Sequence, residues 1–222
     1  FGKKGGIVAL DKKTGREVWK DTFKGLTHCT PAYSEKHNIV VIGSNCGTVR
    51  CFDAKNGKVL WSITVPAEVR GGITVDEKRG YALFGCYDSN LYILSLKNGE
   101  TIHTYKCFFP IYSTPLVEGG RVVFASLDKI VYCLNLETLA LEWKFETQGR
   151  IFASPILAED KVMIGSNDGR LYELDPQTGN NTSIFQATER IVNKIAYNPK
   201  TKRFFVPTFA NEIYALVKRE TS

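Results

Sequence analysis

All-β is the fold class that the sequence predicts, and three observations predict it. One pattern recurs along the 222-residue chain at intervals of 40 or 42 residues. Each period contains four β-like runs, which short clusters of Gly, Asn and Asp separate. No stretch repeats its apolar residues at the 3.6-residue period of an amphipathic helix. Four antiparallel strands per period of about 40 residues is the pattern of a β-propeller blade.

One column of equivalent positions fixes the register of the repeat. Its members are Asp11, Asp53, Ser95, Asn135, Asp175 and Val217. The register divides the chain into repeats near residues 5–23, 27–65, 69–106, 111–146, 151–186 and 191–217. We predict a single propeller domain over residues 1–222 with 21 strands, which is about five blades or a fragment of a larger propeller.

The second repeat justifies each strand of a blade in order. Thr27–Ser34 is the first strand, and its proline suits a strand start because proline donates no backbone hydrogen bond. Asn38–Ser44 is the apolar second strand. Thr48–Asp53 is the third strand, and both of its faces are apolar, so it needs a packed sheet on each side. Lys58–Val65 is the fourth strand and follows a turn whose glycine supplies a positive φ.

The two ends of the chain carry incomplete blades. The first repeat supplies two strands and the last supplies three. We expect Arg16–Phe23 to complete the blade built by Ile191–Leu216, because joining the first and last strands in one blade hides the sheet edges. The surplus strand near Ile7–Asp11 should then compete with Ile213–Leu216 or add outside it.

Composition disfavours several classes of protein. The net charge of +6 comes from 29 Lys and Arg against 23 Asp and Glu, and these are spread along the chain, whereas nucleic-acid binders concentrate basic residues on one face. No apolar run is long enough for a transmembrane helix, so no membrane insertion is expected. Because the N-terminus lacks a methionine, we expect a piece of a longer chain.

The six cysteines form no C-x-x-C pair, which favours reduced thiols and a cytoplasmic location: Cys29, Cys46, Cys51, Cys86, Cys107 and Cys133.

The consensus A-x-D-x-x-x-G-x-x-x-W of residues 9–19 resembles the repeat of the pyrroloquinoline-quinone-like (PQQ-like) propeller superfamily. That superfamily includes quinoprotein dehydrogenases, the propeller lipoprotein of bacterial outer-membrane protein assembly and propeller domains fused to acyl-adenylating enzymes. The resemblance implies that the terminal Trp docks against the adjacent blade. Structural roles are therefore expected for Trp19, Trp61, Trp143, Gly15 and Gly57. His103 and Ser183 depart from the Trp position, and we interpret His103 as a polar replacement for a packing aromatic.

An enzymatic role finds little support in the residues. The resemblance to quinoprotein dehydrogenases would imply a quinone and calcium held with an adjacent-cysteine disulfide, but this chain has no adjacent cysteines. No G-x-S-x-G, H-E-x-x-H or P-loop motif is present. We therefore expect no catalytic residue, no cofactor and no metal. The main hypothesis is a non-catalytic binding module. The alternative is an accessory propeller of a larger enzyme, for example an acyl-adenylating enzyme, that positions a substrate or carrier.

The predicted binding surface lies at the channel mouth. Two loop sets should form it: the leading loops, which precede the first strand of each blade, and the mid-blade turns between the second and third strands. Most positions there need only small or apolar residues, yet the leading loops vary in charge and aromaticity, which is typical of protein interfaces. The candidate binding residues are His28, Arg70, Tyr112, Phe152, Arg150, Arg190 and Lys194. Variation without function on an exposed rim is the other interpretation.

The expected partner is a protein or peptide, and the two arginines Arg150 and Arg190 favour an acidic one because guanidinium pairs with carboxylates. Other domains of a longer parent chain are further candidate partners. A second ring, in the mid-blade turns, consists of Asn45, Asp88, Asp128, Asp168 and Asn211. We interpret these as turn residues rather than calcium ligands, because separate turns offer no compact oxygen cage.

Overall fold

The structure is a computed structural model that describes residues 4–217, without the side chains of Lys4 and residues 182–184. The regular elements in this range are 21 β-strands, as predicted, and the range contains no helix long and apolar enough to cross a bilayer. The all-β prediction is thus confirmed. The chain forms two compact units, Phe1–Thr114 and Pro115–Ser222. The single domain over residues 1–222 stays a prediction.

The first unit contains one two-stranded sheet and two four-stranded blades, in which each strand pairs antiparallel with its neighbour in sequence. The two-stranded sheet consists of β1 (Lys4–Leu10) and β2 (Glu17–Lys24). One blade consists of β3 (Ala32–Ser34), β4 (Ile39–Gly43), β5 (Thr48–Asp53) and β6 (Val59–Thr64). The other consists of β7 (Thr74–Asp76), β8 (Tyr81–Gly85), β9 (Asn90–Ser95) and β10 (Thr101–Lys106).

The second unit contains two four-stranded blades and one three-stranded sheet with the same antiparallel order. Its first blade consists of β11 (Leu116–Glu118), β12 (Arg121–Ala125), β13 (Ile130–Asn135) and β14 (Leu141–Glu146). The next consists of β15 (Ile156–Ala158), β16 (Lys161–Gly165), β17 (Arg170–Leu174) and β18 (Asn181–Gln186). The three-stranded sheet consists of β19 (Ala196–Asn198), β20 (Arg203–Pro207) and β21 (Ile213–Val217).

Burial of the third strands agrees with their doubly apolar pattern. In β5, Val49 and Phe52 point to opposite faces and are both inaccessible to solvent. In β9, the run from Leu91 to Leu94 is buried at every position. The fourth strands differ, because their exposed and covered positions alternate. The core of each blade is therefore the middle of the sheet, and the fourth strand is its outer edge.

The first strands are shorter than predicted. Only Ala32–Ser34 of the predicted Thr27–Ser34 run is a strand. The segment before it bonds to the neighbouring blade instead: the backbone N–H of Ile73 donates to the Thr30 carbonyl at 3.1 Å. The backbone N–H of Gly72 likewise donates to the Thr114 hydroxyl at 2.8 Å. These segments link consecutive blades, which leaves only three residues of each for its own sheet.

Each tryptophan of the repeat docks on the next blade, as the resemblance implied. Trp19, Trp61 and Trp143 are at most 8% exposed. Their indole N–H groups donate to the carbonyls of Ala54, Leu96 and Pro176 at 2.8, 2.9 and 3.1 Å, respectively. The rings also cover glycines of those turns, namely Gly57, Gly99 and Gly179. The indole therefore fixes each pair of blades through one hydrogen bond and one packed face.

Gly15 and His103 differ from the other positions of this contact. Gly15 has a φ of 69°, as its turn requires, but no described atom lies within 4 Å of where its Cβ would be. Its role is confined to the turn. His103 is half-buried in β10, opposite Ile93. That position is held by Trp61 in the β3–β6 blade and by Trp143 in the β11–β14 blade. Ser183 lies in β18, and its side chain is outside the described part.

The expected completion of the last blade by Arg16–Phe23 joins residues of the two units and stays a prediction. Strand β2 pairs with β1 over a register that runs from Lys4 opposite Lys24 to Leu10 opposite Glu17. Among the described residues of the second unit, the sheet of β19, β20 and β21 has no fourth strand. The pairing of β1 with β2 is local, because the turn at Asp11–Arg16 connects them directly, so it needs no closure of a long loop.

Five of the six cysteines are buried free thiols, and Cys46 is the exposed one. Burial raises the pKa of Cys51 and of Cys133 to about 12. The expectation of reduced, buried thiols therefore holds for all but Cys46, which lies in a mid-blade turn rather than in a strand.

Candidate functional site

The candidate residues fall in both compact units. His28, Arg70 and Tyr112 lie in the first unit, and Arg150, Phe152, Arg190 and Lys194 lie in the second. That the seven residues share one channel mouth stays a prediction.

Within a blade, the leading loop and the mid-blade turn are joined by one main-chain hydrogen bond. In the first unit, the N–H of Asn45 donates to the Leu26 carbonyl at 3.0 Å and that of Tyr87 to the Glu68 carbonyl at 2.9 Å. In the second unit, equivalent bonds of 2.9 Å run from Asn167 to Arg150 and from Phe209 to Arg190. The two loop sets of a blade therefore lie side by side and form one surface.

Arg70 lies at the centre of a cluster in the first unit. Its Nε forms an ion pair with Glu68, and both side chains are 35% exposed. Its guanidinium carbon lies 4.9 Å from the centre of the Tyr87 ring, within the range of cation–π attraction. The hydrogen bond to Glu68 raises the pKa of Arg70. Arg70 is thus a fixed, locally neutralised group rather than a free positive charge.

Tyr112 extends this cluster through Tyr87. The two rings meet edge to face, with their centres 6.2 Å apart and an interplanar angle of 65°. Burial raises the pKa of Tyr87, and Arg70 partly offsets that effect. The sequence pointed to Arg70 and Tyr112 but not to Tyr87, which stands between them from the mid-blade turn.

Two phenylalanines in the leading loop after β10 were missed by the site prediction. Phe108 is 85% exposed and Phe109 is 51% exposed. The adjacent aromatics are the signal that could have found them, since the equivalent positions hold Pro66 and Ala67 in one repeat and Gln148 and Gly149 in another. Together with Arg70, Tyr87 and Tyr112, they form what we call the aromatic surface of the first unit.

His28 is exposed and lies beside Asn45. The Asn45 side-chain amide lies 2.8 Å from Nδ1 of His28, and the His28 backbone N–H donates to the Asn45 side-chain oxygen at 3.4 Å. Because the amide donates, Nδ1 accepts, and the ring proton is assigned to Nε2. His28 is thereby oriented with Nε2–H as its remaining donor.

In the second unit, Arg190 covers an exposed ring. Its guanidinium carbon lies 4.1 Å from the centre of Phe209, which is 59% exposed, and its Nε lies 3.9 Å from Glu189. Arg150 and Lys194 are exposed, whereas Phe152 is half-buried. Arg190 and Arg70 therefore both lie over an aromatic residue of a mid-blade turn, with a carboxylate beside them.

The aspartates of the mid-blade turns hold the turns together. The hydroxyls of Tyr92, Tyr132 and Tyr172 donate to Asp88, Asp128 and Asp168 at 2.6, 2.8 and 2.7 Å. The same carboxylates accept backbone N–H groups two residues further on. Burial acts to raise the pKa of Asp88, but these hydrogen bonds lower it overall. These hydrogen bonds confirm that Asp88, Asp128 and Asp168 are turn residues.

The predicted register of this ring needs correction. Asn45 is equivalent to Tyr87, not to Asp88, because both donate their N–H to a leading-loop carbonyl. Asn211 has a positive φ of 62° and matches Ser89. Residues 4–217 contain no group of three or more His, Cys, Asp or Glu side chains arranged to hold a metal ion.

Comparison with known proteins extends the sequence resemblance. The chain is 27% identical over 179 residues to the β-alanine-activating enzyme of Drosophila melanogaster. The aligned residues make up 71% of this chain but 18% of that enzyme. It is 26% identical over 193 residues to outer membrane protein assembly factor BamB of Nitrosomonas eutropha, covering 79% of the chain and 46% of that protein. The chain thus spans less than half the length of these curated relatives.

The fold is shared with solved β-propellers. The crystal structure of BamB from Moraxella catarrhalis superposes with a TM-score of 0.81 at 15% identity, over 95% of this chain and 66% of that one. The propeller prediction is thereby confirmed. The family model described as outer membrane protein assembly factor BamB matches residues 3–106 and 47–220. This chain therefore belongs to that family, within the PQQ-like β-propeller repeat superfamily.

Proposed function

We propose that the chain is a non-catalytic recognition module that binds a protein or peptide through the aromatic surface of its first unit. The exposure of Phe108 and Phe109, in the same leading loop as Tyr112 of the Arg70–Tyr87–Tyr112 cluster, carries this proposal. Exposed aromatic groups that a fixed scaffold holds are typical anchors of protein interfaces, because they bury a large area on binding and lose little conformational entropy.

The proposed partner is acidic. Of the two arginines that favour such a partner in the sequence, Arg190 already has a carboxylate neighbour and contributes less to the preference than expected. Arg150 and Lys194 are exposed in the second unit and supply charge that a partner's carboxylates can meet. The assembly role named for the BamB relatives supports a protein partner in general terms.

A capture experiment with matched variants tests the proposal. Wild-type chain, a Phe108→Ser/Phe109→Ser variant and a Tyr33→Ser control are immobilised and exposed to the same cell lysate. Tyr33 is 57% exposed in the first unit but lies in β3, outside the aromatic surface. We expect the double variant to lose the proteins that wild type and control retain. Equal retention by all three would place the recognition surface elsewhere.

A second candidate rests on the match to β-alanine-activating enzyme. Because the chain aligns with only 18% of that enzyme, it corresponds to one part of a much longer protein. In this proposal the propeller is an accessory domain that positions a substrate or carrier, and it works in the cytoplasm. Sequencing the transcript that encodes this chain separates the two candidates. An adjoining adenylation domain would favour the second, and its absence would leave the first.

A further inference from the structure

Two equivalent grooves between neighbouring blades differ in the charge of their lining. The groove in the first unit has a volume of about 500 Å³ and lies between the β3–β6 and β7–β10 blades. We call it the basic groove. Its charged and titratable lining residues are His37, Arg79 and Lys97, and its apolar lining consists of Ile39, Leu60 and Leu96. No carboxylate lines it among the described residues.

The groove of the second unit lies between the β11–β14 and β15–β18 blades and serves as an internal comparison. Its volume is about 180 Å³, and its lining includes the acidic residues Glu118 and Asp160. Gln177 stands where the basic groove has Lys97. Its one basic lining residue, Arg121, is already paired with Glu142. The lining of the basic groove is therefore positive and that of the second unit's groove is negative, although both grooves lie between neighbouring blades.

The apolar floor of the basic groove is held between the two blades. Ile39 and Leu96 are 7% and 5% exposed, and Leu60 is 48% exposed. The indole N–H of Trp61 donates to the Leu96 carbonyl at 2.9 Å, which ties the floor to both blades. A ligand with an apolar body could thus cover Leu60 without rearranging the floor.

Arg79 already has a carboxylate partner, so the positive charge that the groove offers a ligand comes from Lys97. Nη1 of Arg79 lies 2.8 Å from Oδ2 of Asp76, while Oδ1 of Asp76 accepts the N–H groups of Lys78 and Arg79. Glu77, next to His37, accepts the Ser34 hydroxyl at 2.7 Å and the Lys36 N–H at 3.2 Å. Asp76 is therefore engaged by its own turn and by Arg79, Glu77 is engaged by Ser34 and Lys36 of the preceding blade, and neither carboxylate lines the groove.

Ser95 stands where three other repeats have an aspartate, so the basic groove has no carboxylate at this position. Ser95 caps its turn by accepting the Lys97 N–H at 3.2 Å. The equivalent Asp53 and Asp175 cap their turns in the same way but carry a carboxylate. In the second unit, the carboxylate of Asp175 forms an ion pair with Lys161 at 2.9 Å.

We propose that the basic groove binds a small organic anion with a carboxylate or phosphate head and an apolar body. The head lies toward Lys97 and His37, and the body covers Ile39, Leu60 and Leu96. A volume of about 500 Å³ accommodates a ligand of this kind. The site is separate from the aromatic surface and does not depend on the recognition role.

Binding of defined probes to the full chain tests this site. Octanoate and octyl phosphate supply both halves of the ligand, whereas inorganic phosphate and 1-octanol supply one half each. Titration calorimetry gives affinities, and amide shifts of Gly80 and Leu96 locate the binding. We expect both complete probes to bind more tightly than either half-probe. The tighter of octanoate and octyl phosphate identifies the head group that the site prefers.

Three variants assign the binding to the groove. Lys97→Gln introduces the residue of the second unit's groove, and Ser95→Asp introduces the residue of three other repeats. Each should weaken the tighter probe by about fivefold or more, since each changes the charge next to the head group by one unit. Lys55→Gln is the matched control, because Lys55 holds the same turn position in the preceding blade and does not line the groove. No binding by wild type, or equal affinities in all three variants, would overturn the proposal.

Discussion

The ring of Trp61 occupies the space that a side chain at position 99 would need. A Cβ added to Gly99 would lie 2.7 Å from Cε3 of the indole, well inside van der Waals contact. The tryptophan and the glycine come from consecutive blades, so the contact that joins the blades also dictates the residue of the next turn. The motif is therefore a relation between two repeats rather than a property of one.

The first prediction compares Gly99→Ala with Gly15→Ala. The two glycines have nearly the same φ, 74° and 69°, and donate the same turn hydrogen bond. Alanine costs about 1–2 kcal/mol of backbone strain at either position. At Gly99 it also displaces Trp61, which adds about 1–3 kcal/mol. Urea denaturation should show the larger loss for Gly99→Ala. Equal losses would mean that the indole yields without cost.

The second prediction concerns the tryptophans themselves. Trp61→Ala or Trp143→Ala should lower the free energy of unfolding by about 3–5 kcal/mol, the range for a buried aromatic residue. Trp61→Phe keeps much of the packing and loses the hydrogen bond to Leu96, so it should cost about 1–2 kcal/mol. Chemical denaturation measures both. A loss below about 1 kcal/mol in the alanine variants would contradict the docking role.

The third prediction separates Cys46 from the buried thiols. Hydrogen bonds from Ser44 and Thr48 lower the pKa of Cys46 against the opposing effect of burial, so this exposed thiol should react with a disulfide reagent in the native protein. Cys51 and Cys133 should react only after unfolding. Mass spectrometry of the labelled protein identifies the sites. Labelling of Cys51 at native pH would show that the blade opens readily.

The buried thiols also predict a pH dependence of stability. The pKa of Cys51 is raised from 9.0 to about 12 on folding. Above pH 9 the unfolded chain loses this proton while the folded chain keeps it, so alkali favours unfolding. The contribution of Cys51 to stability is full below pH 9 and is lost as the pH rises toward 12. Cys51→Ala should therefore flatten the fall in melting temperature over this interval, and an unchanged slope would contradict it.

The fourth prediction addresses recognition. Tyr112→Ala should weaken partner binding by about 1–3 kcal/mol if the aromatic surface holds the anchors. Charge reversal at Arg150 should weaken binding less and reduce its dependence on salt, because an exposed charge acts mainly on encounter. Both should leave the unfolding transition almost unchanged. Titrations at two ionic strengths check the first two statements, and affinities identical to wild type would refute the assignment.

Most of the fold could be predicted from the sequence, because the same apolar packing positions recur in each repeat. The apolar columns of Val49 and Phe52 recur in every blade, and a strand buried on both faces admits few architectures. The end strands are less predictable, since nothing in residues 16–23 distinguishes pairing with β1, which is observed, from pairing with β21. That choice depends on the geometry of the whole chain rather than on a local pattern.

The candidate site was predictable only in part. Variation among the leading loops pointed to Arg70 and Tyr112, but Tyr87 belongs to another loop and reaches them only through the fold. The ion pair of Arg70 with Glu68 was also invisible, because alternate residues of an irregular loop meet only if the backbone brings them together. The sequence alone therefore overstates how much free positive charge Arg70 presents.

The main-chain bonds between leading loops and mid-blade turns have a consequence for evolution and engineering. The bonds at Leu26, Glu68, Arg150 and Arg190 use carbonyl groups, which every amino acid supplies. An aliphatic, an acidic and two basic residues hold this position without altering the bond. The side chains at these four positions can therefore be exchanged one at a time without altering the main-chain bonds that hold the loops. A library randomised at these four positions should yield new binding specificities while the blades beneath remain folded.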